Sequence, residues 1–160
     1  MDPTTTVYRF DLGHEIAELR LRSQAGTVLV SAAALDGSLR NLLLLIMSLS
    51  NNKAEQIFGS SLGPLYHFSP KIEIAYAFKV IDEDLYNDLR IIKDIRNKFA
   101  HPEGPTDFET PKIKDLVRKF KSWASMRDEY ELFIQRVEHC LSKLDELTQK
   151  ELYVQALADK

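Results

Sequence analysis

The sequence predicts an all-α fold, a single-domain helical bundle of about six helices. Three observations carry the all-α assignment. Hydrophobic residues recur at steps of three and four along most of the chain, no segment keeps a convincing period of two, and breaks bearing Pro, Gly or Asn divide the chain into helix-length pieces. With 160 residues, 44% of them hydrophobic, the chain suits one domain with a core of its own. We expect residues 1–10 to form a flexible N-terminus, 11–126 the core bundle and 127–160 a C-terminal helix.

The elements follow in order. From Ser23 to Ser50, the residues Val28, Ala32, Leu35, Leu39, Leu42, Ile46 and Leu49 share one helical face, which defines a long central helix. Leu43, Leu44 and Leu45 make its second half apolar nearly all round, so neighbours should cover it on several sides. The most apolar stretch, Leu42 to Met47, is too short to span a bilayer. After Asn51-Asn52 comes a short helical piece near Ala54 to Phe58. The loop GSSLGPLYHF is then expected to fold Leu62, Leu65 and Phe68 over the bundle. Ser69-Pro70 reads as an N-cap with proline at the first helical position, opening a helix through Phe78. Asp82 starts the next, which ends near Ala100 because His101 precedes Pro102. Thr110-Pro111 repeats the start signal for a helix to roughly Ser122. The last helix carries Tyr130, Ile134, Val137, Leu141 and Leu144 on one face, with Glu131, Arg136, Glu138, Lys143 and Asp145 mostly elsewhere. Trp123, Tyr130 and Phe133 read as packing residues.

Charge and composition exclude several functions. A net charge of −3 and a pI near 5.8 argue against direct binding of duplex DNA, which runs on an excess of Lys and Arg. Cys140 is the only cysteine, which excludes an intramolecular disulfide and suits a reducing, cytoplasmic setting. The N-terminal MDPTTTVYRFD carries no export signal, and no membrane association is expected. His14 with Glu15, His67 with Glu73, and His139 with Cys140 lack metal-ligand spacing, and the loop Gly59 to Pro64 lacks the lysine of a phosphate-binding loop. No metal and no cofactor is expected.

The informative anomalies are charges in apolar stripes. Along the helix from Asp82, the face Leu85, Leu89, Ile92, Phe99 has Arg96 as its missing member. Beside the main seam of the central helix, the stripe Leu29, Ala33, Asp36, Arg40, Leu43, Met47 is interrupted by an acid and a base four residues apart. One reading is structural: Arg96 points into the bundle and pairs with Asp36 next to Arg40, locking two helices, while Gly37 lets another backbone come close. A second reading is chemical and centres on Arg96, Asn97 and His101. In a regular helix His101 would diverge from Arg96 by about 140°. The break at Pro102 would let the imidazole swing back, or meet an equivalent group across a two-fold axis, with Asn97 orienting it. A third is plain capping of the helix by His101, whose charge complements the helix dipole.

The hexapeptide Arg96-Asn97-Lys98-Phe99-Ala100-His101 resembles the R-x4-6-H signature of the HEPN superfamily, small all-α bundles that often dimerise. The wider stretches GTVLVSAAALDGSLRNLL, GPLYHFSPKIEIAYAF and DLRIIKDIRNKFAH resemble the mannitol operon repressor family, whose members share this HEPN-like bundle. The resemblance covers roughly Gly26 to His101 and fades after Phe108. It departs at Lys79, where glycine is expected to close the helix ending AYAF; lysine there must adopt the left-handed conformation.

Two functions are implied by the resemblance. The first is non-enzymatic: a transcriptional repressor of sugar-alcohol uptake. Because no helix-turn-helix with a recognition helix is legible, it would act through protein–protein contacts, as a homodimer if it follows the superfamily. The alternative is a metal-independent endoribonuclease with a toxin or defence role. Arg96, Asn97 and His101 would be catalytic, and attack by the 2′-hydroxyl would leave a 2′,3′-cyclic phosphate. RNA would then be the partner, tracked by Lys112, Lys114, Arg118, Lys119 and Lys121 in the basic segment KIKDLVRKFK, unless that run is only a solvated face. A further reading is a small-ligand or nucleotide pocket around Tyr66, His67 and Tyr76.

Overall fold

A computed structural model describes residues 24–59, 61–104, 106–121 and 128–158. Within them lie six α-helices and no strand. Helix α1 spans Gln24–Met47, α2 Asn51–Ala54, α3 Phe68–Ala77, α4 Glu83–Ala100, α5 Pro111–Val117 and α6 Glu129–Ala158, with a single π-turn at Glu55–Gly59 directly after α2. The expectations for residues 1–10, for His14 and Glu15, and for Trp123 lie outside the described residues, while the helix expected to run to roughly Ser122 ends at Val117, with residues 118–121 in a turn.

Helix α1 is the axis of the bundle, packed against α6, α4 and α3. Its predicted seam is buried at Val28, Ala32, Leu35, Leu39 and Leu42, and Leu43 is buried beside it. Toward its C-terminal end the seam surfaces, and Ile46 is 38% exposed. By length and composition α1 could cross a bilayer. Asp36 and Arg40 interrupt its middle, however, and its apolar face is occupied by the other helices. Gly37 admits no close backbone: a Cβ there would meet nothing within 4 Å.

The helix ends follow local chemistry. Asp82 caps α4, accepting a hydrogen bond from the Leu85 amide at 2.9 Å, and Glu83 and Asp84 in the first turn complement the dipole. Thr110 stands at the N-cap of α5 with Pro111 behind it, as expected, but its hydroxyl donates to Asp107 instead of accepting from the helix. Helix α3 starts two residues earlier than Ser69-Pro70 suggests. His67 takes the extended N-cap conformation, leaving Pro70 in the first turn, where its missing N–H goes unneeded. At the other end of α3, Lys79 adopts φ 56°, the left-handed value the sequence requires. The Val80 amide bonds back to Ala75 and the Lys79 amide to Tyr76, which closes a Schellman motif without glycine.

The loop after the π-turn is pinned at Gly63. A Cβ there would approach the Ile57 carbonyl oxygen to 2.6 Å, while the Leu65 amide bonds that same oxygen at 3.0 Å. Leu65 is buried and Phe68 packs on the core, but Leu62 is 94% exposed and does not fold over the bundle. Phe108 is the aromatic hub. Its ring lies 5.4 Å from Phe99, 5.1 Å from Tyr130 and 5.3 Å from Phe133, and its amide donates to Gln24 Oε1, so α1, α4 and α6 meet on it.

The seam of α4 runs Leu85, Asp88, Leu89, Ile92, Ile95, Phe99. It takes Ile95, three residues past Ile92, in place of Arg96, four past it. Arg96 is rotated onto the surface, which corrects the inward placement read from the sequence. The charged member of this seam is Asp88, 4% exposed, and Arg136 of α6 is its ion-pair partner. Burial pushes the Asp88 carboxyl above its usual range, partly opposed by the Arg136 guanidinium. Cys140 is fully buried on α6, and burial pushes its thiol well up.

Two outcomes follow from this packing. Gly37→Ala should stabilise the protein by about 0.5–1 kcal/mol, because a helical glycine with open space around it costs backbone entropy and packs nothing; urea melts measure it, and a loss of stability would show a close approach after all. Asp88 ionises less readily in the folded state than in the unfolded chain. Its contribution to stability is therefore fully present below the unfolded carboxylate pKa and declines as pH rises through the higher folded one. Unfolding free energies of the wild type and Asp88→Asn across the carboxylate range should show the wild type losing ground relative to the variant as pH rises; a difference that moves the other way would contradict this sign.

Candidate functional site

The stripe of α1 that the other helices leave uncovered forms one wall of a cleft of about 730 Å³. Leu29, Ala33, Asp36 and Arg40 come from α1, Tyr66 to Ser69 from the loop and first turn of α3, and Lys93, Arg96 and Asn97 from α4. The same alternation of apolar residues with an acid and a base that drew attention in the sequence is thus the surface of an open site, and not a buried seam.

At the base of the cleft lies Lys71, only 1% exposed. Its ammonium donates to the Tyr66 carbonyl oxygen at 2.7 Å and stands 2.8 Å from Asp36 Oδ1, an ion-pair contact whose angle falls outside hydrogen-bond geometry. The charge partner of Asp36 is therefore Lys71 and not Arg96. Periodicity hid this lysine because it sits among Ile72 and Ala75 on a short helix whose pattern is too brief to mark one polar member as inward. Its signal was the proximity of Tyr66, five residues back, across the α3 N-terminus.

Among the described residues, neither of the other two members of the expected ion pair contacts a carboxylate. Arg40 lays its guanidinium over the Phe58 ring, 5.8 Å from the centroid. Arg96 is exposed and donates through Nη1 to Asn97 Oδ1 at 3.0 Å. Asn97 consequently holds Arg96, and the orienting bond from Asn97 to His101 is not formed. The backbone of Asn97 accepts from the His101 amide at 3.1 Å.

His101 is the C-cap of α4 and opens into a different cleft, of about 410 Å³, shared with Lys98, Glu103 and Lys112. The helix holds through Ala100, and His101, at its C-cap with φ −131° and ψ 67°, lines a different cleft from Arg96. Four residues of the basic segment are held by acids. Lys112 pairs with Glu103 at 2.5 Å, Lys114 with Glu109 at 2.7 Å, Arg118 with Asp115 at 3.4 Å, and Lys121 with Asp84. Lys119 is exposed in the turn after α5, in a cleft with Arg90 and His139. The segment therefore presents pairs of both signs, as a solvated helix face does. Tyr66 and His67 do share the first cleft, in edge-to-face contact at 5.0 Å, but Tyr76 stacks on Tyr86 at 4.1 Å beside another depression. Among the described residues no three His, Cys, Asp or Glu side chains gather to hold a metal ion.

Removing Asp36 strands Lys71. Asp36→Ala should cost about 1–3 kcal/mol, less than for a fully enclosed pair because Asp36 is 32% exposed. Lys71→Met in the same chain should recover most of that loss, whereas Asp36→Ala and Arg96→Ala should add independently. Denaturant melts of the singles and doubles decide, and coupling of Asp36 to Arg96 instead of Lys71 would refute the pairing.

No family model and no curated protein matches the chain. Among solved structures, the fold is similar to a chain of the X-ray structure of the MtlR–HPr complex from Escherichia coli, with a TM-score of 0.59 and 15% sequence identity. The match covers 87% of this chain and 96% of that one. MtlR is the mannitol operon repressor. At this identity the likeness is one of fold.

Proposed function

We propose that this protein is a regulatory, non-enzymatic helical protein of the mannitol operon repressor kind, acting in the cytoplasm through contact with a protein partner. The observation that carries this reading is the separation of Arg96 and His101 into two clefts. Cyclising transesterification of RNA needs an imidazole to move the proton and a guanidinium beside the phosphorane at one reacting centre. Within one chain the two groups do not face a common point. The neighbours of His101 are Glu103 paired with Lys112, which suits a helix cap more than a general base.

A protein partner is supported by the fold likeness to a chain crystallised as the MtlR–HPr complex. By that likeness, an HPr-type protein is the first partner to test. The acidic balance, −3 overall, and the pairing of the basic segment weigh against direct grip on duplex DNA. The repressor activity would then come from engagement of another protein.

The ribonuclease reading survives in one form. Arg96 and His101 both lie exposed near the same end of α4, so a homodimer with its two-fold axis there could set the arginine of one copy opposite the histidine of the other.

One set of measurements separates the readings. The purified chain should bind an HPr-type protein in calorimetry and leave generic RNA intact, and His101→Ala should change stability by only about 1 kcal/mol through a lost dipole contact. Cleavage that persists in EDTA, leaves 2′,3′-cyclic phosphate ends and vanishes in His101→Ala would make the nuclease the primary function. Absence of any complex with HPr would remove that partner.

A further inference from the structure

The cleft between α1, α3 and α4 carries an imbalance that the regulatory reading does not use. Arg40, Lys71, Lys93 and Arg96 line it against one carboxylate, Asp36, in a chain whose net charge is −3. Two of these cations are compensated. Lys71 is held by Asp36 and the Tyr66 carbonyl, and Lys93 by Asp94 at 2.9 Å. The two guanidinium groups are not: among the described residues Arg40 contacts the Phe58 ring and Arg96 the Asn97 amide oxygen, and neither meets a carboxylate.

From these contacts we propose that this cleft is a binding site for a small organic phosphate, a phosphomonoester whose phosphoryl group is gripped by Arg40 and Arg96. Two planar forks on opposite walls, each held by a neutral group it can release at little cost, match the several oxygens of a phosphate better than the two of a carboxylate. The third contribution comes from α3. Its first turn lines the cleft, and the His67 side chain caps none of its amides, so the positive end of a ten-residue helix faces the same space. Lys71 sets the local charge without leaving its buried partners.

The rest of the ligand is constrained by the remaining wall. Leu29, Ala33, Phe68 and the edge of Tyr66 are apolar, and about 730 Å³ accommodates a molecule of metabolite size. The body attached to the phosphate is therefore compact and partly apolar or aromatic. A small molecule is favoured over a phosphorylated segment of another protein because the two guanidinium groups stand on different helices across a cleft of metabolite size.

The test uses the full chain and three probes at matched ionic strength: inorganic phosphate, phenyl phosphate and a phosphotyrosine peptide, followed by titration calorimetry. Phenyl phosphate should bind saturably and more tightly than inorganic phosphate. Arg96→Ala and Arg40→Ala should each weaken it by about tenfold or more, since each removes a charge-assisted contact. Lys112→Ala, in the His101 cleft, should leave binding unchanged. Arg40→Lys, which keeps the charge and loses the fork, should remain weakened, and thermal melts verify that each variant is folded. No saturable binding of either small phosphate, or an equal loss in Lys112→Ala, would overturn the site. A phosphotyrosine peptide binding more than about tenfold tighter than phenyl phosphate would overturn the small-molecule assignment.

Discussion

The architecture depends on how much of α1 must be covered. A helix that is apolar over most of its circumference cannot stand at the edge of a bundle, so α3, α4 and α6 are drawn around it. The stripe that carries Asp36 and Arg40 stays open, because covering it would bury two charges at once. That uncovered stripe is the origin of the cleft. The position of the candidate site is thus a consequence of where the central helix could not be made hydrophobic, and the buried Lys71 is what allows Asp36 to remain there.

Most of the fold was legible because it rests on long periodic segments and strong local signals. The seam of α1, the cap at Asp82, the stop before Pro102 and the proline start at Thr110 each follow from spacing or backbone chemistry alone. Lys79 is a sharper instance: the absence of glycine at a helix end forced a left-handed lysine, and the backbone takes it. Boundaries were less legible where two start signals compete, as at His67 against Ser69-Pro70.

The charged groups were misassigned for one reason. On α4 the steps from Ile92 to Phe99 can be taken as four then three, through Arg96, or as three then four, through Ile95. Both fit a helix, and only packing against α6 selects the second. Choosing the first made Arg96 a core residue, sent it to Asp36, and overlooked Asp88, which the second choice makes inward. Arg136 was missed for the complementary reason, as a charge assigned to the polar face of a helix too long to be polar on one side throughout. The motif residues were easy to find, and their separation was not, since it depends on the helix holding through Ala100.

The contact between Lys71 and Asp36 also has a consequence for how such sequences can diverge. A lineage that loses the carboxylate at position 36 leaves an ammonium enclosed without a counter-charge, and one that loses the lysine takes from a half-buried acid the ammonium that contacts it. Either single step is penalised, while the paired step is not. Positions 36 and 71 should therefore change together or not at all, as a lock and its key do. Position 96, which owes nothing to the core, is free to drift unless a ligand holds it.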